Sequence, residues 1–188
     1  MKLFLALNFI FLNLTFADCN FSMTAEDFEA NWTAFKTPSK VGVGGRFREM
    51  GLKKEAYKGK SLSSILEGKE YKINTRSIWT RNAARDAKII KYFFTGFKGG
   101  FVISGKIKEF DDEDMLMSVK MNGVEKDIPM KVKVDESFLT ATGTIDVFDF
   151  ALSDNLKAIN RACKALHQGK TWSDVDLELK VNFKKKCS

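Results

Sequence analysis

Residues 175–183 read VDLELKVNF, and this stretch carries the clearest structural signal in the chain. Apolar side chains occupy every second position from Val175 to Phe183, with charged or amide side chains between them. A two-residue period of this kind predicts a β-strand with one buried face and one face in water. Strands of parallel sheets are usually buried on both faces, so the pattern favours an antiparallel sheet.

The same period recurs along much of the chain. It predicts strands over 26–36, 41–47, 101–107, 115–121 and 128–134, and less regular strands over 70–78 and 138–150. Asn122-Gly123 predicts a tight hairpin turn between two of them. Helical spacing predicts two short helices, over 82–92 and 153–167. About eight one-sided strands predict an all-β fold, in which an antiparallel sheet closes most economically into an eight-stranded barrel.

The composition of the 188 residues describes one globular domain. The chain is 44% hydrophobic and 29% charged, with 2 Pro and 13 Gly, which excludes disordered, collagen-like and low-complexity classes. Its net charge of +7 is too small to indicate a nucleic-acid partner unless it is concentrated on one face.

Few residues in the chain could carry catalysis or hold a cofactor. His167 is the single histidine, which excludes multi-histidine metal sites and leaves one position for a triad or dyad. Residues 42–47, GVGGRF, lack the third glycine of a dinucleotide loop. Arg85-Asp86 on the first predicted helix favours a structural ion pair over a catalytic pair. We therefore expect no enzyme activity, no metal and no cofactor.

Residues 1–17, MKLFLALNFIFLNLTFA, have the features of a secretory signal peptide. Lys2 precedes a nearly continuous apolar run, and Thr15 and Ala17 fit the small-residue positions of a cleavage site. A transmembrane helix needs ~20 apolar residues, and this run is shorter and is interrupted by asparagines. We expect a barrel domain over 18–188 that is periplasmic or secreted.

Three cysteines in an exported chain predict one disulfide and one leftover thiol. Cys19 and Cys187 are the expected pair, because antiparallel first and last strands of a closed sheet would bring the chain ends together. Cys163 falls on the apolar stripe of the second predicted helix. A buried, inert thiol is the favoured interpretation, with a reactive or intermolecular thiol as the alternative.

The apolar faces of the predicted strands mix small residues with flexible methionines. These residues are Ala30, Ala34, Gly45, Thr75, Gly105 and Ala141, together with Met115, Met117, Met121 and Met130. An eight-stranded barrel can be filled by its own side chains or keep room for one small ligand. The small residues and adaptable thioethers favour room for an apolar ligand, while a packed core is the alternative.

A series of short motifs resembles the YceI-like family of secreted, lipocalin-like bacterial proteins. The motifs are, in order, the strand ending in Trp32 and Phe35, Gly44-Gly45-Arg46-Phe47, Ile73 to Ser77, Arg85-Asp86, Phe93-Phe94, Gly123-Val124-Glu125-Lys126 and Phe148-Asp149-Phe150. The resemblance covers nearly all of 18–188. It implies a lipocalin-like barrel around a long apolar channel, binding of polyisoprenoids or other long-chain amphiphiles, and in many members a homodimer. Acidic residues near Glu26, where the family commonly has a His, and the segment 152–170 depart from the family pattern.

We interpret the chain as a carrier that binds a long-chain amphiphile such as a polyisoprenoid, a fatty acid or a fatty amide. Trp79 and Arg85 are expected near the channel mouth. The expected wall residues are Trp32, Phe47, Ile73, Phe93, Phe94, Ile103, Met117, Met121, Met130 and Ile145.

A secreted interaction module with a filled barrel is the alternative function. Its basic face or its lysine tail, 184–186, would bind an acidic partner or an anionic surface, and the same tail could make transient membrane contact. Salt separates the two functions, because charge-driven binding weakens steeply at high salt and apolar sequestration does not.

Overall fold

The computed structural model describes residues 18–52 and 56–188. The predicted signal peptide, 1–17, lies outside the described residues. The strands are β1 (Cys19–Met23), β2 (Phe28–Lys36), β3 (Val41–Phe47), β4 (Tyr57–Gly59), β5 (Glu70–Asn74), β6 (Ile78–Trp79), β7 (Val102–Phe110), β8 (Asp114–Met121), β9 (Val124–Val134), β10 (Phe138–Asp146), β11 (Thr171–Asn182) and β12 (Lys184–Cys187). The helices are α1 (Leu62–Leu66), α2 (Ala83–Ile89), α3 (Ser153–Ala162) and α4 (Lys164–His167), with a π-turn over Ile90–Phe94 directly after α2.

Nine strands form one antiparallel sheet in the order β5-β7-β8-β9-β10-β11-β2-β3-β6. The first and last strands of this order, β5 and β6, are consecutive in the chain and are joined by the 3-10 turn Thr75–Ser77. The chain after β3 helps to bridge the two edges, because Lys72 donates its backbone N–H to the Gly51 carbonyl at 3.2 Å. The sheet is therefore a nearly closed barrel, which confirms the predicted fold class.

The barrel has nine strands instead of the predicted eight because the segment 70–78 is split in two. The side-chain oxygen of Asn74 accepts a hydrogen bond from the Arg76 N–H at 3.0 Å, which turns the chain into the 3-10 helix. A similar turn ends β10, where the Asp146 carboxylate accepts from the Phe148 N–H at 2.8 Å. The segment 138–150, predicted as one strand, is therefore a strand to Asp146 and a 3-10 helix over Val147–Phe150.

Local sequence signals account for several of the connections. Asn122 and Gly123 both have positive φ, as the predicted tight hairpin turn requires. The Ser61 hydroxyl accepts from the Ser64 N–H at 3.1 Å and caps α1, a helix that the periodicity did not predict. The second predicted helix is present as α3 and α4, which are interrupted at Cys163.

A separate three-stranded sheet, in the order β12-β1-β4, joins the two ends of the described chain. Cys19 and Cys187 face each other in the β1 and β12 register and form the predicted disulfide. These first and last strands are antiparallel neighbours as expected, although they lie outside the barrel. The lysines of 184–186, predicted as a tail, belong to β12.

One end of the barrel is filled by its own side chains. Leu139, Ala141 and Val181 have no exposed surface, and Met115, Met117 and Met130 are buried among them. The Tyr71 hydroxyl donates to the Ser118 carbonyl at 2.8 Å, and burial raises the pKa of this phenol well above its ordinary value. This end is a packed hydrophobic core, as the alternative interpretation of the methionines predicted.

Candidate ligand cavity

The other end of the barrel encloses a cavity of about 450 Å³. This volume is within the range of small-molecule sites, about 300–1,000 Å³. The cavity lies where β2 ends and β11 begins, and it is covered by α2, the π-turn, α3 and α4. Its lining comprises Trp32, Ala34, Phe35, Lys36, Val43, Phe47, Ile78, Asn82, Ala84, Arg85, Lys88, Ile89, Phe93, Phe94, Ile103, Met121, Ile145, Val147, Leu156, Ile159, Cys163, Leu166, His167, Thr171, Trp172, Val175 and Leu177.

The deeper walls of this cavity are apolar, because inward-facing strand residues meet aromatic side chains of the π-turn. The rings of Phe47 and Phe94 lie 6.0 Å apart, and those of Phe93 and Phe94 lie 5.4 Å apart at an edge-to-face angle. Asn155 on α3 donates its side-chain amide to the Phe93 carbonyl at 2.6 Å, which ties α3 to the π-turn. The two covering elements therefore hold the aromatic wall in place.

Trp32 is a lining residue that carries a buried polar group. It lies opposite Gly45 in the β2 and β3 register, and its indole occupies the space that a larger residue at 45 would take. Its buried Nε1–H has no hydrogen-bond partner among the described residues. A buried donor without a partner is costly, so this N–H is available to an oxygen atom of a bound molecule.

The cavity reaches the surface on the side of α2 and α4. Leu166 is 62% exposed, and the lining residues Asn82, Ala84 and Lys88 are exposed as well. Polar lining residues are concentrated at this opening, which we call the mouth. They come from the end of β2, from α2 and its N-cap, from α4 and from the start of β11, and comprise Lys36, Asn82, Arg85, Lys88, His167 and Thr171.

Arg85 is held at the mouth by Thr80. Its Nε donates to the Thr80 hydroxyl at 2.8 Å, and its Nη2 donates to the Thr80 carbonyl at 2.6 Å. The Thr80 hydroxyl in turn donates to the carboxylate of Asp86. Arg85 and Asp86 are thus connected through Thr80, whereas the sequence favoured a direct ion pair between them.

His167 ends α4 and has a defined tautomer. The Thr171 hydroxyl donates to Asn160 Oδ1 at 2.9 Å, so its oxygen must accept from His167 Nδ1, which lies 2.7 Å away. Partial burial lowers the pKa of His167, and the charges of Lys36 and Lys88 lower it further. The charges of Lys36 and Lys88 therefore both reach the imidazole of His167 at the mouth.

The structure brings eight of the twelve predicted binding residues together around this cavity. They are Trp32, Phe47, Arg85, Phe93, Phe94, Ile103, Met121 and Ile145. Ile73, Met117 and Met130 lie in the packed core instead. Trp79 lies next to the lining residue Ile78, and the Arg46 and Arg48 guanidinium groups lie 4.5 and 4.9 Å from the centre of its ring.

The small residues predicted to leave room for a ligand differ in whether they line the cavity. Ala34 lines the cavity, but the space above Gly45 is occupied by Trp32. A Cβ atom on Gly105 would lie 2.7 Å from the Tyr71 hydroxyl, so the space above this glycine is filled too. Ala141 and Thr75 are fully buried outside the cavity.

Sequence reasoning placed Arg85 at the mouth but missed Lys36 and Lys88. Lys88 follows Arg85 by three residues, a spacing that places both on one helix face, and this signal was available. No pattern marked Lys36, whose position depends on the pairing of β2 with β3 and β11. The lining also includes Cys163, the free and buried thiol that the sequence predicted.

Residues 18–52 and 56–188 have neither a metal-ligand cluster nor a membrane-spanning helix. No three His, Cys, Asp or Glu residues are grouped so that they could hold a metal ion. None of the helices in these ranges has the length and apolar character to cross a bilayer.

Comparisons with known proteins rest on structure, because no family profile and no curated protein matches the chain at significant similarity. A polyisoprenoid-binding domain from Saccharophagus degradans, implicated in plant cell wall breakdown, is similar with a TM-score of 0.56 and 16% sequence identity. That similarity covers 92% of this chain and 100% of the domain.

Two further solved structures have the same architecture. Burkholderia cenocepacia BcnA is similar with a TM-score of 0.53 at 10% identity, over 85% of this chain and 97% of BcnA. A Campylobacter jejuni YceI protein is similar with a TM-score of 0.52 at 18% identity, over 79% of this chain and 86% of that chain. The strand order, the helix-covered barrel end and these similarities together show that the chain has the YceI-like fold.

Proposed function

We propose that the protein is an exported carrier that holds the hydrocarbon part of a long-chain amphiphile in the barrel cavity. The cavity itself carries the proposal, because its deep walls are apolar except for the buried N–H of Trp32, and its charged side chains lie at the open end. Removing a methylene group from water contributes roughly 0.8 kcal/mol, so a chain of several methylenes would bind without many polar contacts. The polyisoprenoid-binding neighbour supports the same ligand class.

In this proposal the protein binds its ligand and catalyses no reaction of it. Arg85 and Asp86 are both engaged by Thr80, and the single histidine is positioned by Thr171. These hydrogen bonds hold the side chains of Arg85, Asp86 and His167 in fixed orientations. A polyisoprenoid, a fatty acid and a fatty amide are all compatible with the apolar part of the cavity.

Export is proposed from two observations. Residues 1–17 have the pattern of a secretory signal peptide, and Cys19 and Cys187 form a disulfide. Disulfides persist in the periplasm and outside the cell and are rare in the reducing cytosol. A periplasmic or secreted carrier would meet its ligand where amphiphiles leave or enter membranes.

The open end also has features that suit transient contact with a membrane. Val41 and Leu166 are 47% and 62% exposed there, and Lys40 and Lys170 flank Trp172 beside them. Exposed apolar side chains among lysines favour the interface of an anionic bilayer. Contact at this end would place the cavity mouth next to the lipid.

Native mass spectrometry of the purified protein, followed by organic extraction and lipid analysis, tests the carrier function. We expect a stoichiometric long-chain adduct that is lost on denaturation. An empty protein that also fails to take up an added isoprenoid and an added fatty amide would contradict the carrier. Those results would favour the alternative, an interaction module.

A further inference from the structure

The strongest unassigned feature is a group of cationic residues at the cavity mouth. Lys36 from β2 and Arg85 and Lys88 from α2 all line the cavity, and His167 from α4 lines it beside them. No Asp or Glu is present in that lining as far as the chain is described. The cavity thus has apolar walls and an opening that bears charge of one sign.

The acidic residues of the neighbouring elements are already engaged. Asp86 accepts hydrogen bonds from the N–H and the hydroxyl of Thr80. Asp174 pairs with Lys40 at 2.6 Å. In the described part of the chain, the ammonium groups of Lys36 and Lys88 have no carboxylate partner within ion-pair distance.

The mutual repulsion of these cations raises the free energy of the ligand-free protein. A bound anion would relieve that repulsion. Lys36, Arg85 and Lys88 share this opening, and cations so close together repel one another. Thr80 directs the Arg85 guanidinium, so part of the group is already oriented. Charge-assisted hydrogen bonds to a carboxylate or phosphate are stronger than those to a neutral amide or hydroxyl.

We infer that the mouth binds the anionic head group of the amphiphile, a carboxylate or a phosphate, through Lys36, Lys88 and Arg85. This inference rests on the proposed carrier function and selects, among its candidate ligands, those with an anionic head. The apolar chain would lie in the cavity and the head group would lie between α2 and the end of β2. His167 would add a donor at its Nε2 when it is protonated.

The test compares a long-chain fatty acid with the primary amide of the same chain length by calorimetry at neutral pH. We expect the acid to bind at least about tenfold more tightly, which corresponds to one charge-assisted contact. The double variant Lys36→Gln/Lys88→Gln should remove most of that preference, because acid binding should weaken at least severalfold more than amide binding. A matched control is Lys126→Gln/Lys133→Gln on β9, which removes the same charge from two exposed residues outside the cavity lining.

Three results would overturn the inference while leaving the carrier function intact. Equal affinities for acid and amide would show that the head group is not recognised by charge. An equal loss of acid binding in both double variants would assign the effect to overall charge. Displacement of the acid by inorganic phosphate alone would show a site for free anions instead of lipid head groups. Failure of both acid and amide to bind would instead contradict the carrier function.

Discussion

The indole of Trp32 lies over Gly45 of the neighbouring strand, so that a Cβ atom at position 45 would come within 2.8 Å of Trp32 Cε2. This contact sets the orientation of one of the two tryptophan side chains that line the cavity. The glycine is thus required by close approach, since its backbone has no unusual φ.

Gly45→Ala should therefore lower the free energy of unfolding by about 1–3 kcal/mol, the usual cost of overpacking. Gly44→Ala is the matched control, because a Cβ there has its nearest neighbours at 3.9 Å. Urea unfolding followed by circular dichroism measures both variants. Equal stabilities of the two variants would show that the indole moves aside at no cost.

Ala34→Phe should block the cavity, because Ala34 is a lining residue near the mouth and the phenyl ring would take the place of ligand. Uptake of a long-chain fatty acid should fall at least about tenfold. Thr33→Phe introduces the same ring one position away on the opposite face of β2, where it does not line this cavity. Unchanged uptake by a folded Ala34→Phe variant would exclude this cavity as the binding site.

The disulfide should contribute substantially to stability, since Cys19 and Cys187 are 168 positions apart and join strands outside the barrel. Cys19→Ser/Cys187→Ser should lose about 2–5 kcal/mol. The Cys163→Ser variant should keep the stability of the parent protein in oxidising buffer and should still be destabilised by a reducing agent. A parent protein that is insensitive to reducing agent would contradict the expected contribution.

His167 should titrate below the ordinary histidine pKa of about 6.5, because burial and then Lys36 and Lys88 disfavour its charged form. The folded protein then binds fewer protons than the unfolded chain, so this group lowers the free energy of unfolding as pH falls through 6.5. One imidazole resonance reports the pKa by NMR, since the chain has a single histidine.

The same NMR titration tests whether Lys36 and Lys88 lower the pKa of His167. Lys36→Gln/Lys88→Gln should raise the midpoint of the His167 titration, and Lys126→Gln/Lys133→Gln should leave that midpoint unchanged. A bound fatty acid should raise it as well, because the carboxylate favours the imidazolium. A midpoint at or above 6.5 in the ligand-free protein would be inconsistent with the charge distribution described here.

Membrane contact should depend on the open end of the barrel. Val41→Ser/Leu166→Ser should reduce co-flotation with anionic vesicles severalfold, because the apolar side chains that would enter the interface are lost. Phe138→Ser is the control, since Phe138 is a 42% exposed hydrophobic residue. It begins β10, whereas the cavity-lining residue Ile145 lies at the other end of that strand. Equal reductions in the two variants would place the contact elsewhere.

Much of the barrel could be predicted because its strands are one-sided. Val175 to Phe183 alternates without a break, and the structure buries Leu179, Val181 and Phe183. The break at Thr75–Ser77 depends on a side-chain hydrogen bond of Asn74, which has no periodic signature. The small sheet of β1, β4 and β12 was missed because its strands are short and β12 is exposed on both faces.

The division of the barrel into a filled and an open end could not be read from residue types. Met117 and Met121 belong to the same face of β8, yet Met117 is core and Met121 lines the cavity. Gly105 suggested space, but Tyr71 from β5 reaches over it to Ser118. Such outcomes depend on which side chain of a distant strand arrives at each position.

The filled end has a consequence for how a barrel of this kind can change the shape of its cavity. Tyr71, Leu139 and Val181 pack in the core without lining the cavity, whereas Phe94, Met121 and Ile145 belong both to the core and to the lining. Substitutions at lining residues outside the core, such as Ala34 and Leu166, could therefore reshape the binding volume with little loss of packing. A barrel that is solid at one end and hollow at the other can vary its cavity most easily at its open rim.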